Sequence, residues 1–131
     1  MKRTTLLHAE LSEVIARLGH GDLLVIADAG LPIPDGPRRI DLAVSANVPR
    51  LQDVLAAVLA EMQVESAVIA DELEPASPAV HAQLLRLLGF TPVARLSHER
   101  FKAATHTARA IVRTGEFSPY ANVILRAGVV F

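Results

Sequence analysis

The sequence predicts an α/β domain: a three-layer α/β/α arrangement with a largely parallel central sheet. Two observations carry this. Short apolar runs of strand length alternate with stretches whose apolar residues recur at helical spacing. Hydrophobic residues make up 51% of the 131 positions, enough for one core of ordinary domain size. No internal repeat, low-complexity segment or linker interrupts the alternation, so residues 1–131 are expected to form a single domain.

In chain order, Leu11, Val14, Ile15 and Leu18 stand at i, i+3, i+4 and i+7 and mark a helix over residues 9–18, with Gly19 as its left-handed stop. Residues 23–27 (LLVIA) read as a strand buried on both faces. It ends at Asp28, where a glycine and two prolines in residues 30–34 open a loop. Residues 40–44 suggest a second strand. After Pro49, Leu51, Val54, Leu55, Val58, Leu59 and Met62 form one apolar helix stripe. Residues 65–70 read as a strand and residues 71–75 as an acidic loop. Ser77-Pro78 suits a helix start, with serine as N-cap and proline in the first turn, and Gly89 ends that helix. A strand over 91–96, a short helix from Ser97 over 98–105, and strands over 108–114 and 122–125 complete the pattern. Ligands of such sheets bind at the carboxyl ends of the strands.

Composition narrows the chemistry. Thirteen basic and fourteen acidic residues give a formal net charge of −1. That argues against nucleic acid or an anionic membrane as the main partner. With no cysteine, disulfides, thiolate nucleophiles and Cys-based zinc sites are excluded. No window reaches the roughly 20 apolar residues of a membrane span, and residues 1–20 show no clean apolar signal region, so a cytoplasmic location is expected. A mean hydropathy of +0.35 suggests apolar surface hidden against further copies of the chain. Neither GxGxxG nor GxxxxGK[ST] occurs, which removes the common nucleotide readings, and the five histidines show no HxxxH or HxH spacing, so no motif supports a metal site.

Four places carry candidate chemistry. His20 follows a helix end and precedes a buried strand; it suits proton transfer near neutral pH, and equally a polar turn. Asp28 closes a buried strand, as an acceptor for sugar hydroxyls, as a partner for a histidine, or as a cap on its own loop. His98 and Lys102 share one helix face, either solvated or turned to an electron-rich ligand. Tyr120, the only tyrosine, and Asn122 offer a ring, a hydroxyl and an amide suited to a polyhydroxylated ligand; a turn capping the core is the other reading.

Taken together these residues resemble a known family. Arg17-Leu18-Gly19-His20-Gly21-Asp22 followed by Asp28-Ala29-Gly30-Leu31-Pro32-Ile33-Pro34 resembles the opening signature of the D-ribose pyranase family. Residues 61–65 (EMQVE), 98–102 (HERFK), 115–122 (GEFSPYAN) and 127–131 (AGVVF) resemble its later motifs, in order along the whole chain. The fucose mutarotase family shares the His-Gly-Asp start but not the Gly-Leu-Pro-Ile-Pro loop.

The resemblance implies an isomerase that interconverts pyranose and furanose D-ribose without metal or cofactor. It puts the catalytic acid on His20 and sugar binding on Asp28, His98, Tyr120 and Asn122, with Lys102 beside His98. It also implies a homodecamer of two stacked five-membered rings, with each pocket completed by a neighbouring subunit. A fucose-type mutarotase and a non-catalytic sugar-binding accessory of ribose transport are the alternative expectations.

Overall fold

Apolar runs bounded by turn residues become the strands of a six-stranded sheet. The structure, a computed structural model, describes Met1–Phe131. Its elements are α1 (Ala9–Arg17), β1 (Leu23–Ala27), β2 (Arg38–Asp41), α2 (Leu51–Leu59), β3 (Val64–Ala70), α3 (Leu73–Ala76), α4 (Pro78–Leu88), β4 (Val93–Leu96), α5 (His98–Ala104), a 3₁₀ turn (Thr105–Thr107), β5 (Ala110–Arg113) and β6 (Val123–Ala127). No helix is long and apolar enough to cross a membrane.

The strands lie in the order β2-β5-β1-β6-β3-β4. β2, β5 and β1 pair parallel, as do β3 and β4, while β6 runs antiparallel to both of its neighbours. Five strands therefore point one way and one is inverted. The carboxyl ends of β1 to β5 share an edge with the amino end of β6. That edge gathers Asp28, the loop after β5, the start of α5, and Tyr120 with Asn122.

Successive side chains of a strand point to opposite faces, and the core divides accordingly. Leu24 and Ile26 of β1 join a large cluster with Leu11 and Val14 of α1, Leu51, Leu55 and Val58 of α2, and Leu84 and Leu88 of α4. Val25 and Ala27 face a smaller cluster containing Leu31, Phe101 of α5, Ile111 and Ile124. The three layers are thus unequal. Most helices cover one face, and α5 with the loop after β1 covers the other.

Four local expectations are corrected. Helix α1 ends on Leu18 in extended conformation, not on a left-handed Gly19. The positive φ of 86° falls instead on Gly21. The second strand is residues 38–41 rather than 40–44. The acidic stretch after β3 folds into α3, with Pro75 in its first turn where the missing N–H costs nothing. Ser77 precedes α4 but its hydroxyl makes no cap bond; it donates to the Pro119 carbonyl at 2.9 Å and ties α4 to the turn bearing Tyr120.

Gly115 anchors the carboxyl edge. Its N–H donates to the Pro49 carbonyl at 2.8 Å, and its own carbonyl accepts from Asn47 N–H at 2.6 Å. A Cβ there would sit 2.5 Å from the carbonyl oxygens of both Ser45 and Val48. These are backbone atoms and cannot swing aside. Gly115→Ala is expected to cost about 1–3 kcal/mol, the usual range for overpacking. Denaturant unfolding measures it; an unchanged midpoint would show that the loop yields freely.

Candidate functional site

Asp28 is the centre of the carboxyl-edge site. Its backbone N–H donates to Asn122 Oδ1 at 2.8 Å, and Asn122 Nδ2 donates back to Asp28 Oδ2 at 3.0 Å. Gly30 N–H donates to the other carboxylate oxygen at 2.9 Å. This network joins the end of β1 to the start of β6, which the inverted strand brings alongside. Asn122 is fully buried. Burial pushes the Asp28 carboxyl above its ordinary pKa; donors from Gly30, Asn122 and Leu31, with a further contribution from His98, work against that rise.

His98 opens α5, where Ser97 Oγ accepts from Arg100 N–H at 3.3 Å as the N-cap. Its backbone N–H donates to both carboxylate oxygens of Glu72, at 3.1 and 2.9 Å. The imidazole lies 6.4 Å from the Phe101 ring at an interplanar angle of 14°, and 5.0 Å from Tyr120, nearly perpendicular at 79°. Its Nδ1 is buried and unpartnered. Tyr120 has a φ of 61°, rare for a bulky residue, and a strained conformation of this kind concentrates at functional sites. Lys102 lies one turn on, with its Nζ 2.7 Å from Glu99 Oε1, so a carboxylate on the same helix offsets its charge.

A cleft of about 410 Å³ opens beside Asp28, lined by Gly30, Arg113, Glu116, Ser118 and Pro119 among others. Arg113 Nε donates to the Ala29 carbonyl at 3.0 Å and its Nη1 pairs with Asp41 at 3.1 Å. Glu116 is buried; it accepts from Leu51 N–H at 3.2 Å and from the Ser118 hydroxyl at 3.1 Å. Sequence reading passed over Arg113, Glu116 and Glu72. Arg113 carries the same signal as Asp28, a charge closing a buried strand, and was findable on that ground. The other two lie in ordinary loop contexts. No three His, Asp or Glu side chains cluster as a metal ligand set would.

Asp28, His98, Tyr120 and Asn122 therefore come together, whereas the Lys102 ammonium, one turn along α5 from His98, pairs with Glu99. His20 does not join them. It lies before β1 whereas Asp28 follows it, and five strand residues at about 3.3 Å each separate the two by roughly 17 Å or more. At its own edge, His20 Nε2 lies 3.0 Å from Glu65 Oε2. Within one chain the carboxylate beside His20 is thus Glu65, not Asp28.

The chain has known counterparts. The sequence pattern of the RbsD / FucU transport protein family matches residues 1–130. A D-ribose pyranase of Symbiobacterium thermophilum is 59% identical over 131 residues, covering all of both chains. A D-ribose pyranase of Paracidovorax citrulli is 62% identical over 134 residues, again with full coverage. Among solved structures, Bacillus subtilis RbsD complexed with D-ribose superposes with a TM-score of 0.96 at 45% identity, covering 100% of each chain. The fucose mutarotase of Streptococcus pneumoniae, in complex with L-fucose, gives 0.80 at 28% identity, over 95% of this chain and 94% of that one. Matched along its whole length in sequence and in fold, the chain belongs to the RbsD / FucU transport protein family.

Proposed function

We propose that this protein is a D-ribose pyranase, an isomerase interconverting the pyranose and furanose forms of D-ribose. The observation that carries the reading is its full-length likeness to a D-ribose-bound structure, at a TM-score of 0.96, alongside pyranases of about 60% identity.

The two ring forms differ in which hydroxyl closes onto the aldehyde carbon. Interconversion needs a proton delivered to the ring oxygen, a proton removed from the anomeric hydroxyl, and re-closure through another hydroxyl. His20 delivers the proton to the ring oxygen and recovers it from the hydroxyl that closes the new ring, while water or Asp28 takes the anomeric proton and returns it to the carbonyl oxygen. Positioned acid–base transfer of this kind contributes roughly 10²–10⁴-fold. Asp28 accepts sugar hydroxyls, His98 and Tyr120 orient the ring, and Lys102 borders the same helix face. Asn122 acts on the sugar chiefly by holding Asp28, since its amide already bonds that residue at both ends.

His20 and Asp28 lie at opposite ends of β1, so a working pocket takes His20 from one subunit and the Asp28 cluster from the next. Exposed Val44, Phe90, Phe117 and Phe131 support burial against further copies. The homodecamer of two stacked five-membered rings and the cytoplasmic location belong to this reading through the family resemblance.

Saturation-transfer NMR of D-ribose tests it. Faster exchange between pyranose and furanose signals in the presence of the protein is expected. Unchanged ribose exchange with accelerated L-fucose anomer exchange would replace the reading with a fucose-type mutarotase. Ribose binding without any exchange would make the protein a non-catalytic sugar-binding accessory.

A further inference from the structure

We infer that Glu65 is a positioning residue for His20, holding the ring through Nε2 so that Nδ1 is the nitrogen exchanging a proton with the sugar. This rests on the reading of His20 as the catalytic group.

The backbone around His20 is fixed from both sides. Asp22 Oδ2 accepts from Gly19 N–H at 2.9 Å. Gly21 N–H donates to the Ala127 carbonyl and Ala127 N–H to the Asp22 carbonyl, both at 2.8 Å, binding the turn to the end of β6. Gly21 is needed there: its φ is 86°, and a Cβ would approach the Arg126 guanidinium to 3.3 Å. None of these bonds sets the imidazole, whose side chain remains 59% exposed. Glu65 does, through the 3.0 Å contact at Nε2.

The fold has a specific device for aiming Glu65. Val64 pairs with Ala127 and Ser66 with Arg126, so two steps along β3 match one along β6. Glu65 is the extra residue of a β-bulge, a feature that redirects a side chain and recurs next to active sites. Gly128 leaves room for it, since a Cβ at that position would lie 3.2 Å from Glu65 Cβ. Arg126 Nε approaches the same Glu65 oxygen only to 3.7 Å, too far for a hydrogen bond, so the short contact belongs to His20.

An exposed ion pair contributes little to stability. What the contact can set is the tautomer, because a hydrogen bond at one ring nitrogen decides which nitrogen carries the proton. With Nε2–H held by the carboxylate, the imidazolium gives its Nδ1 proton to the ring oxygen, and the neutral ring left behind presents a bare Nδ1 that takes a proton back on closure.

The test combines ring-exchange kinetics with ¹⁵N spectra of histidine-labelled protein for wild type, Glu65→Leu and Glu65→Gln. Glu65→Leu is expected to lower kcat on the order of 10- to 100-fold with KM little changed, the scale of losing an orienting partner. Glu65→Gln, whose amide oxygen still accepts Nε2–H, should recover most of the rate. The wild-type spectrum should show the Nε2–H tautomer of His20, and the leucine variant a mixture. Wild-type kcat in Glu65→Leu, a loss confined to KM, or an Nδ1–H tautomer in the wild type would each overturn the inference. His20→Ala separates the two levels: full activity in that variant removes the His20 reading itself, whereas an inactive His20→Ala beside a fully active Glu65→Leu removes only the role of Glu65.

Discussion

Co-expressed with Asp28→Asn, an inactive His20→Ala chain is expected to recover ring exchange. Alone, His20→Ala loses the proton-transfer contribution, roughly 10²–10⁴-fold. Asp28→Asn alone loses the carboxylate proposed to receive the sugar. Because β1 holds the two residues at its opposite ends, the proposed pocket draws them from different chains. In assemblies mixed at random from equal amounts, roughly a quarter of the interfaces pair an intact His20 with an intact Asp28, as follows from a heterologous ring contact. Activity near a quarter of wild type is therefore expected from doubly tagged, co-purified assemblies, against almost none from either variant alone. Mixed assemblies that stay inactive would place both residues in one chain's pocket, against the strand geometry. A fully active wild-type monomer would have the same consequence.

How far the sequence could be read depended on whether the signal was local. β1 was legible to the residue because five apolar positions lie between a charged turn and a loop rich in proline and glycine. β2 was displaced toward the apolar residues that follow it. It is an edge strand whose two arginines are exposed, and only Ile40 is buried, so it has no apolar run to announce it. The inversion of β6 has no trace in periodicity, since alternation looks the same in either direction; only pairing with β1 and β3 reveals it. That single inversion decides the site, because it brings Tyr120 and Asn122 to the edge where Asp28 ends β1. Glu65 and Glu72 act on histidines 45 and 26 residues away. Contacts of that separation leave no spacing for a sequence pattern to detect.

The distinction between holding Asp28 and touching the sugar makes Asn122→Leu the most informative single change at the carboxyl edge. Asn122 is fully buried, and both ends of its amide bond Asp28. Leucine has similar bulk but strands the Asp28 N–H and removes a donor from the carboxylate. Each stranded group costs about 1–3 kcal/mol, so a marked fall in unfolding free energy is expected. The pH dependence carries the sign. Burial already raises the Asp28 pKa, and Asn122 is one of the donors restraining that rise. Without it the carboxyl stays protonated to higher pH, and the acid limb of the ring-exchange profile should move upward. The folded state then binds this proton more readily than the unfolded chain. The contribution to stability from Asp28 is therefore largest below the ordinary carboxylate pKa and falls as pH rises through the raised folded value. Leucine extends that falling window to higher pH. Should the acid limb stay in place while KM alone rises, Asn122 binds the sugar directly, and its bonds to Asp28 serve the fold rather than the titration of the carboxylate.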